Sequence, residues 1–407
     1  DVFYLEGMIY TNTIKLSPGN HTIKSFVLKN DNGTPNDDTD DIIVKATPLI
    51  GSDYAGFVQN PLPFDFNVDA FYKAEVNIEI LCFEAAEITD FGFAWFTVNE
   101  ITVRELCFFG DFCTKYYNDY AGSLYEGQES GLRHDMPAIF KIDIYRNNNF
   151  LISYNNEEWL GEGAPLCVQY PDFENVTDNY NFVLSILVKA GMNFEYKVFH
   201  TWTTTDDGTL PNIGNDNVMD FVLGSCVPDA DLILPPYMNL PANVTMTTGS
   251  THSPGSLGTY FDITLSGIGA GYDIGNQTYG VFCADKNTSI VLNTTYNMDV
   301  YTSLYPDLLP GAFAAQKDVL DNINWLGNNL YRYDGHTWAD IQDAVWMILG
   351  QISTSSTPFA TQMASDAMLY GDGYIPPVGG WAAVLFVDPT ADDYNKVLQL
   401  LFTLVDP

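Results

Sequence analysis

A glutamine in the middle of an apolar helix face is the first residue of this sequence that suggests chemistry. The segment 338–350, "WADIQDAVWMILG", has the periodicity of an amphipathic helix, and Gln342 falls in its apolar stripe with Trp338, Val345 and Trp346. A carboxamide buried without hydrogen-bond partners costs on the order of a few kcal/mol. This amide therefore needs either a partner or a specific role.

Six cysteines supply the second set of reactive groups. An even count in an exported chain favours disulfides, but the connectivity cannot be fixed from sequence. The segment "CFFGDFC", residues 107–113, has a Gly-Asp turn at its centre and could close a tight disulfide loop. Cys283 is the one cysteine after residue 230. The disulfide candidates are the other five: Cys82, Cys107, Cys113, Cys167 and Cys226.

Cys283 and Gln342 together resemble the two signatures of the thioester domain of bacterial surface adhesins. In "FCAD", residues 282–285, an aromatic residue precedes the cysteine and an aspartate follows two residues later. In "IQDAVW", residues 341–346, the glutamine has the apolar, alanine and tryptophan neighbours of the second signature. The resemblance covers about residues 242–407, and the region before it resembles no family that we recognise.

The resemblance implies an internal thioester, formed when the thiol and the glutamine side chain condense with loss of ammonia. An amine can then capture the glutamyl carbonyl as a stable amide. Such a bond persists only where water is kept away, so an apolar enclosure is expected. The enclosure candidates are Phe282, Trp338, Val345 and Trp346.

The residues also allow a purely structural interpretation. Gln342 could hydrogen-bond neighbouring backbone, as most buried amides do. Cys283 could be a buried thiol or the sixth disulfide partner, and an even number of cysteines favours the latter.

Acidic loops provide candidate calcium sites. The loop at 30–41, "NDNGTPNDDTDD", and the loop at 204–217 carry many carboxylate and amide oxygens, which calcium prefers as ligands. Neither loop has EF-hand spacing, and a solvated acidic loop is the alternative interpretation. The candidate ligands in the first loop are Asp37, Asp38, Asp40 and Asp41. The sequence predicts no other cofactor.

Composition and missing motifs restrict the functional class. With 16 basic and 52 acidic residues the net charge is −36, which disfavours nucleic-acid binding and anionic lipid surfaces. The sequence has no nucleophile elbow, zinc-protease motif or phosphate loop, and its histidines are scattered. We therefore expect a non-enzymatic protein that binds no nucleic acid.

Several features favour export. The chain begins directly in a strand-like run, as expected of a mature protein without its signal peptide, and no apolar run approaches the roughly 18 residues of a membrane span. We therefore expect an extracellular glycoprotein at the cell surface, with no direct membrane insertion. The glycosylation candidates are the seven sequon asparagines: Asn20, Asn32, Asn175, Asn243, Asn276, Asn287 and Asn293.

The elements that must position these residues are mainly strands. Residues 1–226 predict one or two β-sandwiches, with separate strands at 91–98 and 100–109, and four prolines mark 227–241 as a linker. Residues 242–407 predict an α+β domain in which helices are inserted into a β framework. The predicted helices are 313–328, 337–350 and 357–370.

Two functions follow as hypotheses. The first is an adhesive or structural surface protein that bonds covalently to an amine-bearing ligand through Cys283 and Gln342. The second is a self-assembling subunit of an extracellular filament, sheath or surface layer without thioester chemistry. In both, the expected partners are surface ligands or other copies of the chain.

Overall fold

The secondary structure is mainly β, with strands over 41% of the chain and helices over 15%, which confirms the predicted fold class. The computed structural model describes residues 2–34, 41–52, 54–70, 73–82, 95–114, 120–127, 135–158, 163–173, 176–205, 210–214, 216–251, 253–377 and 379–406. Within these ranges the structure describes only the backbone at 42, 43, 82, 95–100, 127 and 135. The calcium candidates Asp37, Asp38 and Asp40 and the sequon residue Asn175 lie outside the described residues.

Sixteen described strands precede residue 235. They are β1 (Val2–Leu5), β2 (Met8–Thr11), β3 (Gly19–Ile23), β4 (Val27–Asn30), β5 (Ile42–Ala46), β6 (Phe64–Val68), β7 (Glu75–Cys82), β8 (Trp95–Cys113), β9 (Asp135–Pro137), β10 (Phe140–Arg146), β11 (Asn149–Asn155), β12 (Leu166–Phe173), β13 (Asn179–Ala190), β14 (Asn193–Thr205), β15 (Val218–Leu223) and β16 (Leu232–Leu234). The only helical elements among the described residues of this region are 3₁₀ turns.

These strands form two sheets that pack face to face, as in a β-sandwich. The larger sheet runs in the order β1-β2-β8-β7-β5-β4, with β12, β15 and β9 also paired to β8. The smaller runs β11-β10-β13-β14, and a separate ribbon pairs β3 with β6. Side chains from both sheets share one core. Its buried members include Phe108, Ile142, Tyr170, Phe182 and Phe221.

Strand β8 is longer than the sequence predicts. The two predicted strands at 91–98 and 100–109 are wrong as separate elements, because one strand continues from Trp95 to Cys113. Its pairing partners overlap: β7 pairs with residues 95–102, and β12 pairs with residues 101–108. Overlapping ladders keep Asn99 and Glu100 extended where the local sequence favours a break.

The disulfides also differ from the tight loop expected at 107–113. Cys107 bonds to Cys167, and Cys113 bonds to Cys226. Because Cys107 and Cys113 lie on one extended strand, six residues hold them roughly 20 Å apart. Cys107 and Cys167 are instead direct partners across β8 and β12.

The predicted linker 227–241 contains β16 and is fixed at Asn239. Its side chain accepts a hydrogen bond from Gly191 N at 2.9 Å and donates to Gly271 O at 2.6 Å. Gly191 precedes this segment and Gly271 follows it, so the amide joins both sides. The domain boundaries themselves stay a prediction.

Residues after 242 form a closed antiparallel barrel with inserted helices. The strands are β17 (Asn243–Thr248), β18 (Phe261–Ser266), β19 (Thr278–Cys283), β20 (Thr295–Thr302), β21 (Ala382–Val387) and β22 (Leu401–Val405), in the order β17-β18-β19-β22-β21-β20. The helices are α1 (Ala314–Lys317), α2 (Leu320–Asn329), α3 (Trp338–Ile348) and α4 (Ala360–Tyr370). All four lie between β20 and β21, so the predicted insertion into a β framework is confirmed.

The helix predictions need one correction. The helix predicted at 313–328 is two helices, because Val319 has a φ of −135°, outside helical geometry. A buried helix-side core joins this layer to one face of the barrel, with Phe282 and Phe402 from the strands and Phe313 and Val345 from the helical layer. Among the described residues, no helix is long and apolar enough to cross a membrane.

We predict that the Cys113–Cys226 disulfide stabilises the N-terminal region. It closes a chain segment of 113 residues, so removing it increases the entropy of the unfolded chain. The Cys113→Ala/Cys226→Ala variant should lose about 2–5 kcal/mol of unfolding free energy in non-reducing urea titrations. The matched Cys107→Ala/Cys167→Ala variant opens a segment of 60 residues and should lose somewhat less. An unchanged urea midpoint in the first variant would contradict the prediction.

Candidate functional site

The structure brings Gln342 directly onto Cys283. Cys283 ends β19, Gln342 lies in α3, and 59 positions separate them in sequence. Cys283 N donates a hydrogen bond to Gln342 Oε1 at 2.8 Å, and Gln342 Nε2 donates to Cys283 O at 2.8 Å. Cys283 is fully buried and Gln342 is 1% exposed. The two residues therefore meet in a site closed to solvent.

The start of α3 is fixed by a capping box between Thr337 and Asp340, a pair whose residue types and three-residue spacing are typical of this motif. Asp340 N donates to Thr337 Oγ1 at 3.4 Å, and Thr337 N donates to Asp340 Oδ2 at 2.9 Å. Asp340 Oδ1 also accepts from Phe359 N at 2.8 Å, which ties α3 to the segment before α4. Burial alone would raise the pKa of Asp340, but these hydrogen bonds lower it below its ordinary value. The position of Gln342 is thus set one turn after a rigid cap.

Four glutamine side chains hold Cys283, the last residue of β19, and the two residues that follow it. Gln342 donates to the carbonyl of Cys283, and the other three donate to the next two carbonyls. These contacts are Gln316 Nε2 to Ala284 O at 3.2 Å, Gln351 Nε2 to Ala284 O at 3.4 Å and Gln399 Nε2 to Asp285 O at 3.2 Å. Side chains therefore satisfy buried backbone acceptors at a point where the strand ladder has ended.

Sequence reasoning singled out only Gln342 from this group. Gln316 and Gln399 are 1% and 7% exposed, and each stands among apolar residues in its own segment, "FAAQKDVL" and "VLQLLF". A glutamine among apolar residues, which is the pattern that singled out Gln342, is therefore present at both positions.

Cys283 is a free thiol in this structure. Its Sγ–H donates to Asp285 O at 3.1 Å, and the sulfur lies 3.4 Å from Asp285 N, which donates to it. Burial raises the pKa of the thiol to about 11. The thiol is consequently protonated at neutral pH, and the sulfur has little nucleophilicity until its proton is removed.

Three of the four predicted enclosure residues lie in or against the buried core of the helical layer. Phe282 and Val345 belong to the same buried core, and Trp338 packs against it. Tyr260, which sequence reasoning missed, connects the two tryptophans: its ring centroid lies 6.2 Å from that of Trp338 and 5.7 Å from that of Trp346. Aromatic and aliphatic groups therefore form the wall next to Cys283.

Asp285 places a buried carboxylate beside the thiol. It is 1% exposed, and its oxygens accept from Asn287 N at 3.1 Å and Thr288 Oγ1 at 2.6 Å. Lys396 Nζ lies 3.7 Å from Oδ2 and also donates to Gln316 Oε1 at 3.4 Å. The hydrogen bonds and the ammonium group compensate the buried charge.

The remaining predicted site residues lie elsewhere. All described sequon asparagines are exposed, and Asn276 also uses its side chain to bond both the N–H and the carbonyl of Ile268. Asp41, the one described calcium candidate, pairs with Lys29 Nζ at 3.3 Å. The exposed group consists of Asn20, Asn32, Asn243, Asn276, Asn287 and Asn293.

Comparison of the chain with protein-family models, with curated proteins and with solved structures finds no match.

We predict that Gln342→Ala destabilises the fold more than a comparable change at the edge of the site. The variant leaves the Cys283 N–H and carbonyl buried without partners, which should cost about 2–5 kcal/mol of unfolding free energy. Gln351→Ala is the matched control, because Gln351 is only partly buried and water can replace it; it should cost less than about 1 kcal/mol. Urea unfolding measures both, and equal losses would contradict the prediction.

Proposed function

We propose that the protein is an exported surface protein that attaches covalently to amine-bearing ligands through a thioester between Cys283 and Gln342. The observation that carries this proposal is the carboxamide of Gln342, held by two hydrogen bonds on the backbone of Cys283 inside a closed, largely apolar site. The resemblance of both segments to adhesin thioester domains supports the same chemistry.

The hydrogen bonds suit the bond-forming step. The Cys283 sulfur adds to Gln342 Cδ, and negative charge then develops on Oε1. Cys283 N–H already donates to Oε1, so it is placed to stabilise that charge. The C–N bond then breaks, and the amide nitrogen leaves as ammonia with the thiol proton. One S–C bond replaces one C–N bond.

Because the pKa of the Cys283 thiol is high, its proton must be removed when the sulfur adds to Gln342 Cδ. At neutral pH the thiol is protonated, so addition of sulfur must be coupled to loss of its proton. The departing amide nitrogen is the final acceptor in the balanced reaction. Burial lowers the reactivity of the thiol towards outside electrophiles, while Gln342 is already in place.

In ligand capture the sulfur is the leaving group, whereas in thioester formation it is the nucleophile. A ligand amine attacks the thioester carbonyl, an amide forms with the Gln342 side chain, and Cys283 is released as a thiol. Because Cys283 is fully buried, the amine can reach it only if the wall near Tyr260 and Trp346 opens. Exclusion of water before that opening would protect the thioester from hydrolysis.

The proposed location has independent support. The disulfides Cys107–Cys167 and Cys113–Cys226 are typical of proteins in oxidising compartments. The six described sequon asparagines are exposed, as acceptors of glycans must be. An acidic extracellular protein that binds a ligand through a side-chain amide is consistent with these features.

The mass of the native protein tests the thioester. We predict an intact non-reduced mass that is short by one ammonia, relative to the sequence with its disulfides. Methylamine should add its own mass to the Gln342 peptide and release the Cys283 thiol. Cys283→Ala should have the full mass for its sequence and take up no methylamine, and Cys107→Ala/Cys167→Ala serves as the cysteine control. An unmodified Gln342 in native wild-type protein would contradict the proposal, since its two hydrogen bonds would then be purely structural.

A second candidate function, self-assembly by strand addition, is favoured by one edge of the large sheet. β1 is the end strand in the described sheet order. Its Val2, Tyr4 and Leu5 side chains are 44%, 75% and 52% exposed. Open apolar edges promote pairing with another chain. We propose that this edge joins copies of the protein in an extracellular assembly if the thioester is absent.

Replacement of one edge residue tests this second function. Tyr4→Lys places a charge on the edge and should shift the molecular mass in solution from oligomer to monomer, measured by light scattering after size-exclusion chromatography. Tyr394→Lys is the control, because Tyr394 is 90% exposed but lies outside every described strand. Wild-type protein that is monomeric at all concentrations would contradict this function.

A further inference from the structure

The indole N–H of Trp346 is a buried donor without a hydrogen-bond partner among the described residues. A buried unsatisfied polar group costs about 1–3 kcal/mol, so native proteins contain few of them. Trp346 lies four residues after Gln342 in α3, on the same helix face. A buried donor without a hydrogen-bond partner next to the candidate site requires an explanation.

Trp346 and Cys283 have a common neighbour in Tyr260. The Trp346 ring packs edge-on against Tyr260 at 5.7 Å, and the Lys286 ammonium lies 5.3 Å from its centroid on the solvent side. The indole lowers the pKa of the Cys283 thiol, against the larger effect of burial. The neutral thiol, however, makes its hydrogen bonds to the Asp285 backbone. The indole therefore acts on the sulfur, although its N–H makes no hydrogen bond of ordinary geometry to a described residue.

We propose that the Trp346 N–H stabilises negative charge on the Cys283 sulfur. The part of this proposal that concerns the formation and cleavage of the thioester rests on the proposed function. In thioester formation negative charge develops on the sulfur as its proton is transferred, finally to the departing amide nitrogen, while the S–C bond forms. In ligand capture the amine forms the C–N bond, the S–C bond breaks, and the sulfur departs with negative charge before it takes up the proton lost by the amine. The N–H donates to sulfur at both stages.

Other charged groups also act on this sulfur. Asp285 raises the thiol pKa, and Lys396 is paired with Asp285. Lys286 lies over the indole, and Tyr260 interacts electrostatically with Cys283. A substitution at Trp346 that deletes the N–H but keeps an aromatic ring leaves these four side chains themselves unchanged.

Trp346→Phe is that change, because it keeps an aromatic wall and deletes the donor. The control is Trp325→Phe, which shortens a 5% exposed tryptophan of the same helical layer, stacked on Tyr370. Both variants are first checked for wild-type thermal unfolding. The rate at which methylamine consumes the thioester is then measured by intact mass over a range of pH. Trp346→Phe should react about 10–100-fold more slowly at every pH, and Trp325→Phe should match wild type.

The thiol itself provides a second readout that does not depend on the thioester. After methylamine treatment, or directly if the native mass shows no thioester, Cys283 is free and its pKa can be followed through the Cβ chemical shift of isotope-labelled cysteine. Without the indole donor, the pKa should rise above the wild-type value, whereas Trp325→Phe should leave it unchanged. This rise distinguishes hydrogen bonding to sulfur from a change in packing.

The outcomes separate this inference from the proposed function. A thioester that forms and reacts at the wild-type rate in Trp346→Phe, with an unchanged thiol pKa, overturns the role of Trp346 and leaves the thioester intact. A native mass without ammonia loss overturns the thioester, and a raised thiol pKa in Trp346→Phe would still support the donor. A slower reaction together with a raised pKa supports both.

Discussion

The two hydrogen bonds between the Gln342 side chain and the Cys283 backbone connect the helical layer to the barrel at one buried point. A carboxamide has one donor side and one acceptor side, and here it meets a backbone group of the opposite kind on each. A shift of α3 along its axis would leave four polar groups buried without partners. This pair therefore fixes how α3 sits on β19, whether or not a covalent bond replaces it.

The other contacts of the site meet the same requirement, which is that every buried polar group has a partner. Beyond Cys283 the chain leaves the barrel ladder, yet it stays buried, so its carbonyls need other donors. Gln316, Gln351 and Gln399 supply them, and Lys396 balances the buried Asp285. In a chain of net charge −36, two lysines, Lys286 and Lys396, lie at this site. The amides satisfy the buried carbonyls and Lys396 compensates the buried charge, so the site can remain closed to solvent, as a reactive acyl group would require.

The N-terminal sandwich is stabilised in a different way, by strand pairing and disulfides. Its large sheet depends on β8, which pairs with β7, β12, β15, β2 and β9 along 19 residues. Both disulfides start from this strand, so the cross-links reinforce the element with the most partners. The Asn239 amide then joins this region to the barrel region through Gly191 and Gly271. Any ligand held at the barrel site would thus be attached to a framework that is cross-linked on the other side.

Local patterns in the sequence determined the mainly β class, the helical insertion, the capping box of α3 and the anomaly at Gln342. These features depend on periodicity and on side-chain to backbone contacts within a few residues, which a sequence displays directly. Only the tertiary structure decided the disulfide partners, the continuity of β8, the closure of the barrel and the roles of Gln316, Gln399, Tyr260 and Lys396. Each of these depends on segments that are tens of residues apart, and their pairing is chosen by the free energy of the whole fold. Cys283 and Gln342 belong to both groups: their types could be read from the sequence, but the barrel and α3 had to pack together before the carboxamide could lie on the cysteine backbone.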